Sequence, residues 1–166
     1  MIHDPTEPLA KLAANLATLI EQRPLADPVM VGIHTGGLWV AESLHHRLRL
    51  AEPLASLDIS FYRDDFTRVG LNPQVRPSNL NVSLSDRNVI LVDDVLYTGR
   101  TIRAAMNELF DYGRPACIVL AVLVDRGERE LPIAPDAIGM TARLTPGQHI
   151  KLTGPPPLAL TVLDTK

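Results

Sequence analysis

Eight consecutive apolar residues, Cys117 to Val124, leave this chain few ways to fold. A strand with one face in water alternates apolar and polar side chains, whereas a strand covered on both faces reads as an unbroken apolar run. Val29-Met30-Val31-Gly32-Ile33 and Val89-Ile90-Leu91-Val92 have the same character. Around these runs the apolar spacing is helical. Leu9, Leu12, Leu16, Leu19 and Ile20 follow Asp4-Pro5-Thr6-Glu7, which has the cap, first-turn proline and third-position glutamate of a helix start. Leu38, Ala41, Leu44 and Leu48 mark a second helix behind Gly36-Gly37. Ile102, Ala105, Met106, Leu109 and Phe110 mark a third, stopped by Gly113 and Pro115. Strand and helix in alternation predict an α/β fold with a mainly parallel, twisted sheet flanked by helices. Leu57, Ile59 and Phe61 alternate with polar neighbours and predict a further strand, and a short one is expected near Leu80 to Leu84. From Thr141 onward Pro and Gly interrupt the pattern, and Pro155-Pro156-Pro157 cannot be helix interior. This tail, about 141–166, is expected to pack as a small irregular cap on a single domain spanning 1–166.

Composition narrows the function. At 166 residues, 46% hydrophobic and 21% charged, the chain has the make-up of one globular domain. It can bury about two thirds of its unfolded surface without a metal or disulfide staple. Its longest apolar run falls far short of the roughly 18 residues of a membrane span, so no membrane role is expected. Met1-Ile2-His3-Asp4-Pro5 lacks the basic start and apolar core of a secretory signal, and Cys117 is the sole cysteine. A reducing cytoplasm is the expected compartment. A net charge of -3 gives no global attraction to nucleic acid, and 4% aromatic residues leave few rings for stacking bases. Only three of the sixteen cations are lysine, so a local arginine patch for phosphate stays open.

The chemistry concentrates in Val89-Ile90-Leu91-Val92-Asp93-Asp94-Val95-Leu96-Tyr97-Thr98-Gly99-Arg100-Thr101. In open parallel sheets, ligands bind beyond the carboxyl ends of strands, which is where this strand delivers Asp93 and Asp94. The loop after it brings Thr98, Gly99 and Thr101 to a helix N-terminus, whose free amides and partial positive charge favour phosphate. Carboxylates that can accept from a diol therefore stand beside a monophosphate cradle, as a sugar phosphate requires. The paired acids also resemble the metal-binding half of a P-loop NTPase, but no G-x-x-x-x-G-K-[ST] precedes them. Gly32-Ile33-His34-Thr35-Gly36-Gly37 does not supply the G-x-G-x-x-G of a dinucleotide site. A purely structural Asp pair capping the next helix is the remaining alternative. Residues from about Thr67 to Asp86 form a long polar stretch, either a functional loop or a solvated insertion.

The run Val89 to Thr101 resembles the phosphoribosyl pyrophosphate (PRPP) signature of type I phosphoribosyltransferases. With Phe61-Tyr62-Arg63-Asp64-Asp65 and Val122-Leu123-Val124-Asp125-Arg126-Gly127-Glu128-Arg129-Glu130-Leu131-Pro132, it resembles the PyrR family. These are pyrimidine operon regulators that also have uracil phosphoribosyltransferase activity. The resemblance covers roughly Val29 to Met140. It implies the type I phosphoribosyltransferase fold with a small cap, or hood, and a flexible lid at about 67–87. It implies that uracil and PRPP give uridine 5'-monophosphate (UMP) and pyrophosphate, with Mg²⁺ carried by PRPP. Asp93 and Asp94 would be the catalytic pair, holding the ribose hydroxyls while positive charge develops on the sugar. Val95, Leu96, Tyr97, Thr98, Gly99, Arg100 and Thr101 would hold PRPP and its 5'-phosphate, and Ile33, His34, Thr35, Gly36 and Gly37 the pyrophosphate. Val124, Asp125 and Arg126 would lie near the base, with Arg63, Asp64 and Asp65 accessory at the same edge. The resemblance also implies self-association into dimers or higher assemblies.

Two departures qualify it. Many members carry arginine where this chain has Gly36, so a bidentate phosphate contact is missing and weak but measurable UMP synthesis is expected. The alternative is a PRPP- and nucleotide-sensing regulator of pyrimidine (pyr) genes with little catalysis. Members that bind pyr messenger RNA use polar and basic side chains on the first helix. Here that face carries Ala13, Ala14 and Ala17, and Ala134 replaces a common basic residue, although Arg129 is kept. Poor binding of pyr leader RNA is expected. His45 and His46 are adjacent on a helix and cannot chelate one metal together. No cluster has zinc spacing, so no metal ligand is assigned to the protein. Cys117 reads as a small buried hydrophobe, and Trp39 as packing or a subunit contact.

Overall fold

The computed structural model describes residues 2–60 and 78–165. The expected Phe61, Arg63, Asp64 and Asp65, and the expected lid as far as residue 77, lie outside the described residues. The element order is β1 (Ile2–His3), α1 (Thr6–Gln22), β2 (Val29–Ile33), α2 (Gly36–Leu48), β3 (Ala55–Leu57), β4 (Asn88–Leu96), α3 (Arg100–Asp111), β5 (Cys117–Asp125), β6 (Ala137–Thr141), β7 (Gln148–Thr153) and β8 (Ala159–Asp164). Five strands form one sheet in the order β3-β2-β4-β5-β6, every neighbouring pair parallel.

The unbroken apolar runs follow from this arrangement, because successive side chains of one strand feed two separate cores. Met30, Ile90, Val92, Val119, Ala121 and Leu123 face α1 and α2 through Leu12, Leu16, Val40, Ala41 and Leu44. Val31, Ile33, Leu91 and Val122 face α3 through Ile102, Ala105 and Leu109. Register aligns Val92 with Gly32 on one side and with Ala121 on the other. Thus β4 and β5 end level, Leu96 beside Asp125, about three residues beyond the level at which β2 ends, and the loops that follow all three leave from the same edge of the sheet.

Four local expectations differ. The strand expected through Phe61 stops at Leu57, although Ile59 is still fully buried. Near Leu80 the described residues hold one bridge, Ser56 with Asn79, and no strand. Phe110, expected on the apolar face of the third helix, is 56% exposed, because Ile102, Ala105 and Leu109 already fill the contact with the sheet. Nor is the C-terminal tail irregular. β7 and β8 pair antiparallel, and β1 joins at the β8 edge. The three prolines sit in the turn between β7 and β8, where no ladder N–H is needed. Trp39 of α2 lies against Gly154 at that turn, where a Cβ would come within 2.8 Å of the indole. The small sheet is thereby fixed to the main body.

Candidate active site

Parallel strands place every β–α loop at one edge, and three such loops meet at the ends of β2, β4 and β5. Asp93 is 2% exposed, and its Oδ1 accepts a hydrogen bond from the Asp94 N–H at 3.0 Å. The β2–α2 loop lies directly against this pair. A Cβ built on Gly36 would fall 2.5 Å from Asp94 Cγ and closer still to Oδ2. One built on Gly37 would fall 2.6 Å from the Val92 carbonyl and 3.0 Å from Asp93 Cα. The two glycines thus allow the start of α2 to touch both acids. Ile33 closes β2 fully buried, the His34 N–H donates to the Leu57 carbonyl at 2.9 Å, and Thr35 is the residue before α2.

Beyond Asp94, Val95 and Leu96 finish β4, and the loop turns through Tyr97, Thr98 and Gly99 into α3. Gly99 has φ +93°, a left-handed conformation that costs glycine little. The Arg100 N–H donates to Thr98 Oγ1 at 3.2 Å, and the Gly99 carbonyl accepts from the Arg103 N–H at 3.0 Å. Thr101 lies in the first turn of α3, a helix of 12 residues whose leading amides and dipole are oriented for an anion. The Arg100 guanidinium is engaged with Glu130 at 2.7 Å.

On the third loop, Val124 is buried, and Asp125 ends β5 with its Oδ1 accepting from the Gly127 N–H at 2.9 Å. The Arg126 guanidinium lies 3.9 Å from the Tyr97 ring centroid and donates to the Gln148 carbonyl at 3.3 Å. Its Nε is buried without a hydrogen-bond partner. A cavity of about 500 Å³ opens beside this pair. Tyr97, Arg126 and Glu128 line one side, and Thr145, Gln148 and His149 line the other. Nothing in the sequence marked the last three, which enter the cavity only because the small sheet stands over the edge of the large one.

Arg129, expected at an RNA contact, turns inward and meets the carbonyls of Tyr97, Gly127 and Ile133 and the Asp125 carboxylate. Ala14 and Ala134 are exposed, and Ala13 and Ala17 half-buried. Among the described residues no group of three or more His, Cys, Asp or Glu could hold a metal ion, and no helix is long and apolar enough to cross a membrane.

The phosphoribosyl transferase domain family matches residues 1–153. The chain is 55% identical over 157 residues to the bifunctional protein PyrR of Nitrosococcus oceani, covering 91% of this chain and 89% of that one. It is 55% identical over 157 residues to its counterpart in Pseudomonas aeruginosa, with 95% and 92% covered. Among solved structures, a hypoxanthine-guanine phosphoribosyltransferase from Bacillus anthracis superposes with a TM-score of 0.70 at 17% identity, covering 98% of this chain and 96% of that one. A purine phosphoribosyltransferase from Pyrococcus horikoshii gives 0.61 at 26% identity, covering 81% and 83%.

Proposed function

This chain belongs to the phosphoribosyl transferase domain family and, within it, to the PyrR proteins; from that membership we propose that it makes UMP and pyrophosphate from uracil and PRPP and regulates pyrimidine biosynthesis genes. One observation carries the enzymatic reading. Two adjacent carboxylates, Asp93 and Asp94, stand within the last four residues of β4, with glycines of the β2–α2 loop packed against them and the α3 N-terminus following the next loop.

The reaction breaks the bond from the anomeric carbon to the pyrophosphate oxygen and forms one to uracil N1, which loses its proton. As the leaving group departs, positive charge grows on the ribose. Asp93 and Asp94 accept hydrogen bonds from the sugar hydroxyls and place negative charge beside that cation. Charge-assisted hydrogen bonds contribute about 1.5–3 kcal/mol each, and preorganised ones act where charge appears in the transition state. Tyr97 to Thr101 receive the 5'-phosphate at the α3 N-terminus, while Ile33 to Gly37 meet the pyrophosphate. Mg²⁺ enters as part of the Mg–PRPP substrate. The base occupies the cavity between Tyr97–Arg126 and Gln148–His149, with Val124 and Asp125 at its root. Arg63, Asp64 and Asp65 are accessory at the same edge. The chain works as one unit with the small sheet as its hood, self-associates, and acts in the cytoplasm.

Incubation with uracil and Mg–PRPP, with UMP followed by chromatography, tests the reading. Gly36 favours a second one, since this loop offers the pyrophosphate amides and His34 but no guanidinium. PRPP binding without UMP formation at saturating substrates leaves only the sensing regulator. RNA is a poor ligand on this reading, because the first helix presents alanines and Arg129 is engaged within the chain. Submicromolar, salt-dependent and sequence-selective retention of pyr leader RNA in filter binding refutes that part.

A further inference from the structure

We propose that Arg129 is a positioning residue that holds the 5'-phosphate loop in its binding shape. This rests on the assignment of residues 97–101 to the phosphate. A guanidinium has five N–H donors in a rigid plane, and here four are engaged within the chain. Nε donates to the Ile133 carbonyl at 2.9 Å. Nη1 donates to the Tyr97 carbonyl at 2.9 Å and the Gly127 carbonyl at 3.2 Å. Nη2 donates to Asp125 Oδ1 at 2.7 Å, and the side chain is 21% exposed. These acceptors belong to three pieces of chain: the end of β5, the turn after it, and the loop between β4 and α3.

The neighbours of Arg129 make the same connection from the backbone. The Glu130 and Leu131 N–H groups both donate to the Thr98 carbonyl, at 3.0 and 3.1 Å. Ile133 and Leu131 close over Gly99, where a Cβ would meet their side chains at 3.3 and 3.5 Å. The carbonyls of Tyr97 and Thr98 are therefore both drawn toward residues 127–133, which leaves the loop's amides outside this network. An anion site needs that arrangement, since carbonyl oxygens turned toward the phosphate would repel it. The Tyr97 ring is held separately by Arg126, so consecutive arginines of one motif grip the backbone and the side chain of the same residue. A lysine could not replace Arg129, because its three donors diverge from one point and cannot span four acceptors.

The consequence is selective. Loss of Arg129 loosens the phosphate half of the site and leaves the pyrophosphate loop, on β2 and α2, untouched. Calorimetric titration of R129K and R129A with UMP, uridine and Mg–pyrophosphate tests this, with E130Q reporting on the outer ion pair alone. UMP affinity should fall roughly tenfold or more, the size expected for a lost charge-assisted hydrogen bond. Mg–pyrophosphate should hold within about twofold, because it does not depend on those hydrogen bonds, and uridine, which touches Tyr97 and Asp125 but not the phosphate amides, should lose clearly less than UMP. Millimolar guanidinium ion should restore part of the UMP affinity of R129A and none to the parent. Folded variants that bind UMP as the parent does overturn the proposal. So does an equal loss for UMP and uridine together with a fallen Tm, which marks a general packing role. R129K decides alone if R129A does not fold. A parent protein that binds neither UMP nor PRPP refutes the assignment of the loop instead.

Discussion

Replacement of Gly36 by alanine separates the chemistry of the acidic pair from the stability of the fold. The new Cβ would lie 2.5 Å from Asp94 Cγ and 3.0 Å from Asp94 Cβ. Carbon atoms pack at about 3.5–4.0 Å, so the carboxylate must retreat by about 1 Å, and rotation about χ1 does not relieve the Cβ contact. A displacement of that size in a positioned group can lower a rate about 10²-fold. The same result follows from losing one charge-assisted hydrogen bond of about 1.5–3 kcal/mol, a factor of roughly 10 to 150 at 1.36 kcal/mol per decade. We expect kcat/KM for UMP synthesis to drop by about 10- to 100-fold on that basis. Tm should change little, because Gly36 opens α2 without a positive φ and alanine there restricts the unfolded chain. Gly36→Arg carries the same Cβ and adds a phosphate fork, so it should recover part of the loss through a lower KM for PRPP. A continuous assay of UMP formation with parallel thermal melts measures both variants. Gly36→Ala with parental kcat/KM would show that Asp94 does no work where it stands.

The remaining predictions concern the same edge and the first helix. Asp93→Asn keeps an oxygen for the Asp94 N–H but removes the buried charge; kcat should fall by roughly 10- to 100-fold with little change in Tm, and unchanged kcat contradicts its assigned role. Gly37→Ala sets a Cβ against the backbone of Val92 and Asp93, which cannot rotate away. Overpacking of this kind costs about 1–3 kcal/mol, so Tm should fall by several degrees, and an unchanged melt counts against the close approach. Asp4 accepts from both the hydroxyl and the amide of Thr6, which holds its carboxyl below the usual carboxylate range. A pKa lower in the folded state stabilises above the unfolded value and is lost as pH falls through the folded value. Pro5, not Asp4, is the N-cap of α1, so Asp4 acts only through its two bonds to Thr6. Asp4→Ala should therefore melt below the parent at neutral pH, with the gap closing in acid, and a gap constant with pH refutes that contribution.

The central sheet was legible because a strand with helices on both faces has no polar side to display. Cys117 to Val124 could take hardly any other place, and they form β5, Cys117–Asp125, an interior strand between β4 and β6. The small sheet was less legible, although its alternation was present: Ile150 and Leu152 are buried while Lys151 is exposed. Pro155 to Pro157 interrupt that alternation, and the two residues of β1 are too few to show any period. Phe110 was misplaced for a related reason. Helical spacing marks which residues share a face, but the width of the contact comes from the sheet beneath it.

At the candidate site, the strand-end rule by itself places Asp93 and Asp94 at the carboxyl edge of the sheet, and family resemblance adds the loops after β2 and β5. What it could not supply was contact between residues far apart in the chain. Gly36 reads in the sequence as a missing guanidinium, yet it also makes room for Asp94, and that follows only from β2 lying beside β4. Gln148 and His149 carry no motif and meet Arg126 only because the chain returns over the sheet. Arg129 is the sharpest case. Family resemblance associated it only with a doubtful RNA contact. Two successive left-handed residues, Gly127 at φ +74° and Glu128 at φ +56°, reverse the chain and deliver its guanidinium to the Tyr97 carbonyl. A non-glycine residue in that conformation is strained by roughly 1–3 kcal/mol. The strain is tolerated where surrounding bonds fix the turn, and the four donors of Arg129 are such bonds.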